Sequence, residues 1–169
     1  MAVITPEGDV KCHHPYGPDS TYTVPMGNAV AVSCGVCYTA ALSADGELHY
    51  WGENVWEWDI KPQEKYIKNL GLRSGKRIVL QPQNIVSISC GNSHIAALTA
   101  DGRVFCWGKN DHKQCNVPPD LGPVHSIWCK DYVTMALTAE GKLVHWGGRF
   151  KTCTIPEDLV VQTEAAELM

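Results

Sequence analysis

Long apolar segments and clustered positive charge are both missing from this chain of 169 residues. No apolar run approaches the roughly 18 residues of a membrane-spanning helix, and the first residues lack the basic and apolar regions of a secretion signal. Acidic residues outnumber Lys and Arg by 18 to 14, and one loose basic group stands out, at Arg73, Lys76 and Arg77. Gripping nucleic-acid phosphates takes clustered positive charge, so we expect neither nucleic-acid binding nor membrane association.

Known catalytic signatures are missing as well. The sequence contains no P-loop, no GxSxG elbow, no HExxH and no dinucleotide-binding fingerprint. We therefore expect no enzymatic activity and no cofactor. Without an export signal, the eight cysteines are expected to stay reduced in an intracellular protein, cytoplasmic or nuclear.

What the chain does contain is a unit of about 39 residues that occurs three times in full. Three landmarks recur with identical spacings of 56 and then 39 residues. They are the cysteines Cys34, Cys90 and Cys129, the turn glycines Gly46, Gly102 and Gly141, and the tryptophans Trp51, Trp107 and Trp146. A partial copy, ITPEGDVKCHH, stands near the N-terminus, with His13 and His14 where Trp-Gly is expected.

These spacings predict tandem units over residues 1–162, followed by a tail at 163–169. The predicted boundaries give a partial unit at 1–30 and full units at 31–84, 85–123 and 124–162. The first full unit carries an insertion at 53–83, which is 17 residues longer than its counterpart.

Within a unit, the pattern predicts four short strands. Ile85–Ser89 alternates apolar and polar residues, the period of a half-buried strand, and HIAALTA and RVFCW give two more. Asp101-Gly102 between the last two predicts a hairpin with a type I′ turn. The segment NVPPDL predicts a short fourth strand at an edge, because prolines remove ladder donors. Four-stranded units in tandem indicate an all-β fold of propeller blades.

The combined pattern S-x-x-C-G-x-x-H-x-x-A-L-x-x-D-G-x-V-x-x-W-G-x-N resembles the RCC1-like (regulator of chromosome condensation) repeats, in a compact short-repeat variety. The resemblance covers nearly the whole chain and implies a β-propeller, commonly of about seven blades. This chain has four outer hairpins and three inner strand pairs, too few for that ring. Three alternatives stay open: closure by the tail, completion by a second chain, or an open arc docked on a partner.

The cysteines and histidines allow both a chemical and a structural interpretation. Cys34-Gly-Val-Cys37 could bind zinc, but a structural site usually needs two such pairs. Cys12-His13-His14 could join a metal site, yet these histidines also simply replace Trp-Gly in a terminal unit. We favour packing for the first group and partly exposed histidines of a terminal unit for the second, and we expect His94 to hydrogen-bond backbone between blades.

The insertion at 53–83 is the candidate binding surface. It combines aromatic and basic residues, the types that dominate interface hot spots, on the kind of insertion that often forms a binding face. The candidate residues are Trp56, Trp58, Tyr66, Arg73, Lys76 and Arg77. We expect an unidentified protein partner, with self-association as a further possibility. The alternatives are a structural component of a large assembly such as a viral particle, and an RCC1-type nucleotide-exchange or chromatin-binding factor.

Overall fold

The computed structural model describes residues 1–13, 21–36, 38–52 and 84–148. These residues form four antiparallel sheets of three strands each, as an all-β repeat fold requires. The first two sheets are β1 (Ala2–Ile4), β2 (Val10–His13), β3 (Thr21–Val24), and β4 (Ala29–Cys34), β5 (Tyr38–Ser43), β6 (Leu48–Gly52). The other two are β7 (Ile85–Cys90), β8 (His94–Thr99), β9 (Val104–Gly108), and β10 (Val124–Lys130), β11 (Val133–Thr138), β12 (Leu143–Gly147). No helix among the described residues could cross a membrane.

The hairpin turns are where predicted, but their type differs. In a type I′ turn Asp101 would have a positive φ, whereas only Gly102 does, at 79°. Gly102 N–H donates to the Thr99 carbonyl and Thr99 N–H to that of Arg103, which makes a three-residue loop that ends on a left-handed glycine. The Thr99 hydroxyl also accepts from Arg103 N–H and so fixes this longer loop. The same glycine-to-threonine or glycine-to-serine bond recurs in all four hairpins, from Gly8, Gly46, Gly102 and Gly141.

The predicted fourth strand is only partly present. In the first sheet it is β3, paired along β2 from His13–Thr21 to Val10–Val24. In the unit 85–123 the matching segment 116–121 forms no strand and turns at Pro119 and Asp120. Pro118 and Pro119 lack the N–H groups that a ladder needs. The counterparts in the second and fourth units lie outside the described residues.

Among the described residues the core consists of three apolar clusters, one between each pair of successive sheets. The central strand of an inner sheet is buried on both faces, because its alternate side chains pack against different neighbours. In β8, Ile95 and Ala97 pack toward the second sheet, while Ala96 and Leu98 pack toward the fourth. Burial on both faces explains why HIAALT carries no charged residue. Because each inner sheet packs against a neighbour on both sides, the sheets form successive layers.

Candidate protein-binding surface

One end of the stack gathers the loops that vary between units, and we call it the loop face. It comprises the loops between the first two strands, at 35–36, 91–93 and 131–132, and the segment that follows each Trp-Gly pair. The strands run so that β4, β7 and β10 end here, and so do β6, β9 and β12. The acidic-Gly hairpins lie at the opposite end.

Backbone hydrogen bonds tie the loop face together across the sheets. Val36 N–H donates to the Asn92 carbonyl at 3.4 Å, and Asn92 N–H donates to the Asp131 carbonyl at 2.8 Å. The three residues occupy the same repeat position, so one contact is repeated from unit to unit. Because backbone groups form this ladder, the exposed side chains of Val36 and Asp131 can vary without loss of the scaffold.

Close backbone approach explains two of the repeated glycines on this face. A Cβ on Gly147 would lie 2.5 Å from the Tyr132 carbonyl oxygen and 2.7 Å from Gln114 Cα. A Cβ on Gly91 would meet the His94 ring first and would also lie 2.9 Å from the Asp131 carbonyl oxygen. A side chain at either position would push these neighbouring groups apart.

A serine-to-backbone bond fastens each of two successive interfaces. Cys90 N–H donates to Ser33 Oγ at 3.0 Å, and Cys129 N–H donates to Ser89 Oγ at 2.8 Å. Ser33 and Ser89 stand at one repeat position, directly before the cysteine of their own sheet. The repeated Ser-Cys pair therefore links one unit to the next through its main chain.

A buried relay crosses the interface between the third and fourth sheets. His94 is fully buried, and its Nε2 lies 2.9 Å from Thr134 Oγ1. The Thr134 hydroxyl donates to the Gln114 carbonyl at 2.8 Å, so it accepts from a proton on His94 Nε2. Burial lowers the pKa of His94 to about 4, which keeps the imidazole neutral. His94 thus bonds between sheets, but to a hydroxyl rather than to backbone.

The segment after Trp107-Gly108 contains two structural residues, of which the repeat pattern includes Asn110 but not Gln114. Gln114 is fully buried, and its Oε1 accepts from His112 N–H at 2.9 Å. Asn110 Oδ1 accepts from Cys115 N–H at 2.9 Å, which explains the Asn after Trp-Gly. The sequence did not mark Gln114, because its counterpart in the last unit is Thr152 and the insertion replaces the segment in the preceding unit.

Cys90 and Cys129 are placed for packing rather than for reaction. Burial raises the pKa of Cys90 to about 12 and that of Cys129 to about 11, so both thiols stay protonated. Cys34, at the same repeat position, is exposed, so burial is not shared by all three. Within the described part of the chain no three His, Cys, Asp or Glu residues lie close enough to hold a metal. His14 and Cys37 lie outside it.

The insertion at 53–83, with all six candidate interface residues, also lies outside the described residues. Its two anchor points are described. Gly52 ends β6 on the loop face. At the hairpin end, the Asn84 carbonyl accepts from Ala100 N–H at 2.9 Å, directly before β7 begins. The residue before the insertion therefore lies on the loop face, and the residue after it lies at the hairpin end.

The other landmark residues lie in the sheets. Trp51 and Trp146 are buried in the clusters between sheets, and Trp107 packs against the cluster between the second and third sheets. The repeat positions are thus filled by residues that join layers.

Residues 85–114, which span this repeated architecture, match the family model described as the Regulator of chromosome condensation (RCC1) repeat. The chain is an RCC1-like repeat protein. It is 37% identical over 93 residues to the X-linked retinitis pigmentosa GTPase regulator homolog of Caenorhabditis elegans. It is also 30% identical over 132 residues to the RCC1 domain-containing protein RUG3, mitochondrial, of Arabidopsis thaliana.

A solved structure places the sheets in the RCC1 propeller fold. Prp20p from Saccharomyces cerevisiae, described with its binding to Gsp1p and histones, superimposes with a TM-score of 0.62 at 19% identity. The match covers 86% of this RCC1-like chain and 41% of Prp20p. The chain covers a smaller share of the two curated relatives. The match with the Caenorhabditis protein includes 54% of this chain and 6% of that protein. The match with RUG3 includes 69% of this chain and 30% of RUG3.

Proposed function

We propose that this RCC1-like chain is a non-enzymatic module for protein–protein interaction or assembly, and that it binds its partner through the loop face and the insertion at 53–83. The observation that carries the proposal is the backbone ladder from Val36 through Asn92 to Asp131. It fixes the loops of three units in one surface, while leaving their side chains free to differ.

The position of the insertion supports the same surface. It departs from Gly52, next to this ladder, and contributes Trp56 and Trp58 together with basic residues. Rigid loops beside a long aromatic segment combine a preorganised scaffold with typical hot-spot side chains, and preorganisation lowers the entropic cost of binding. Prp20p is described with protein partners, Gsp1p and histones, which is the same broad class of ligand.

The test is proximity labelling in cells with the full chain, followed by a binding measurement with the purified partner. The variant pair Trp56→Ala and Trp58→Ala is expected to weaken binding at least tenfold, about 1.4 kcal/mol, as hot-spot truncation does. The matched control replaces the exposed Arg103 and Glu140 on the hairpin end by Ala. That control is expected to bind like the parent chain.

Equal binding by the tryptophan pair and the parent chain would reject the insertion as the binding surface. Light scattering over a concentration series separates the two forms of the proposal. A stable oligomer of the chain alone assigns the function to assembly, and a monomer assigns it to capture of a foreign protein.

A further inference from the structure

Left-handed backbone positions on the loop face carry charged side chains where the rest of the described chain uses glycine. Among the described residues, glycine fills nine of the twelve positions that have a positive φ, as expected because a Cβ there crowds the following carbonyl oxygen. The three exceptions are Asn84 at 65°, Lys113 at 62° and Asp131 at 50°. Asn84 lies at the hairpin end, so both exceptions on the loop face are charged.

The fold uses only the backbone of these two loop-face residues. Lys113 N–H donates to the Asn110 carbonyl at 3.0 Å, and the Lys113 carbonyl accepts from Asn116 N–H at 3.1 Å. The Asp131 carbonyl accepts from Asn92 N–H at 2.8 Å. Both side chains are exposed, and neither forms a hydrogen bond or ion pair within the described part of the chain. Glycine would make the same backbone bonds without the left-handed penalty, so the fold does not account for the two charges.

An aromatic contact brings the two charged residues into one patch. The rings of His112 and Tyr132 meet edge to face, with their centroids 4.7 Å apart, across the third and fourth units. Lys113 directly follows His112, and Asp131 directly precedes Tyr132. We call these four residues the charge-pair patch. It combines one cation, one anion and two half-buried rings on the loop face.

The signs of the two charges limit the chemistry of a partner. An exposed lysine attracts a carboxylate, and an exposed aspartate attracts a lysine or arginine side chain. Charges of opposite sign fix the orientation of a partner and oppose a wrongly charged one, because each like-charge contact is unfavourable. A nucleic acid offers phosphates alone, which Asp131 repels. The patch therefore fits a protein segment that carries charges of both signs.

We infer that Lys113 and Asp131 are specificity-determining contacts of the loop face, and that the partner is a protein segment that places a carboxylate on Lys113 and a Lys or Arg side chain on Asp131. Side chains held in a disfavoured backbone conformation are concentrated at functional sites, where the contact they make offsets the strain. The inference rests on the proposed function and names the chemistry of the partner at that surface. It does not involve the insertion, so the two claims can fail separately.

The separate variants Lys113→Gly and Asp131→Gly of the full chain test the inference through two readouts. The melting temperature should equal or exceed that of the parent chain, because glycine relieves the left-handed conformation. The affinity for the partner purified after proximity labelling should fall about two- to fivefold in each variant, the range of an exposed ion pair. The loss should shrink at high salt, which screens exposed charges. Asn84→Gly makes the same backbone change at the hairpin end and should leave the affinity unchanged.

Four results would overturn the inference. A lower melting temperature in both loop-face variants would make the side chains structural, and an unchanged affinity would remove them from the interface. Tighter binding by Asp131→Gly would assign the surface to a uniformly acidic partner such as a nucleic acid. An equal loss in Asn84→Gly would assign the effect to the backbone. If the tryptophan pair of the insertion loses binding while both glycine variants bind like the parent, the proposed function stands and this inference fails.

Discussion

Replacing Thr134 by Val removes one hydroxyl and thereby two hydrogen bonds that cross between layers. His94 Nε2 and the Gln114 carbonyl both lose their partner, at 2.9 and 2.8 Å, in a fully buried site. Val matches Thr in shape, and Ile95 occupies the same repeat position in the third sheet, so no clash is introduced. Each buried polar group left unpaired costs about 1–3 kcal/mol, so the two together give a loss of about 2–6 kcal/mol in unfolding free energy.

Urea denaturation monitored by circular dichroism measures this loss, with the slope of the transition expected to stay constant. The matched control is Thr39→Val at the same repeat position in the second sheet. The Thr39 hydroxyl lies 3.9 Å from Cys34 Sγ and also bonds the Cys12 thiol, and both are weak sulfur contacts, so we expect a loss under about 1 kcal/mol. Equal losses in the two variants would refute the reasoning, because the relay would then contribute nothing beyond an ordinary buried hydroxyl.

Three further predictions concern protonation, crowding and thiol reactivity. The folded-state pKa of His94 is about 4, below its ordinary 6.5, so unfolding free energy should fall by up to about 1.4 kcal/mol per pH unit as pH drops from 6.5 toward 4. His94→Tyr introduces the residue that stands at the same repeat position in the second sheet, Tyr38. This variant should lose the fall in unfolding free energy between pH 6.5 and 4, as urea melts at several pH values would show. Gly147→Ala should lower the melting temperature more than Gly122→Ala. Both glycines have a positive φ, but a Cβ at Gly122 meets no atom within 4 Å. Equal shifts in melting temperature would contradict the crowding of backbone around Gly147. Iodoacetamide at pH 8 should modify the exposed Cys34 well before Cys90, whose pKa burial raises to about 12, and the reverse order by mass spectrometry would disprove the packing role.

The spacing of the repeat was enough to predict the layered all-β fold, because the landmarks are the residues that join layers. The tryptophans of Trp-Gly pack between sheets, and the glycines stand where backbones approach. The turn type was predicted wrongly, because Asp-Gly alone does not reveal that Thr99 closes a three-residue loop. The count of strands per unit depends on local prolines such as Pro118 and Pro119, which shorten the edge in one unit and not in another.

The candidate surface was less predictable than the fold. Gln114 carries a buried contact between units, yet the matching residue in the last unit is Thr152, so the repeat did not mark it. The relay from His94 depends on Thr134, and the matching residue in the third sheet is Ile95. A contact made once in the array leaves no periodic signal, and only the packing of the layers brings its members together.

Hydrogen exchange of the full chain, free and bound to its purified partner, tests the central claim most directly. The account predicts slower exchange on binding at the insertion 53–83 and at the loops 91–93 and 131–132, with no change at the hairpin tips near Asp45 and Asp101. Protection confined to the hairpin tips, with the insertion and the loops unchanged, would contradict the assignment of the loop face as the binding surface.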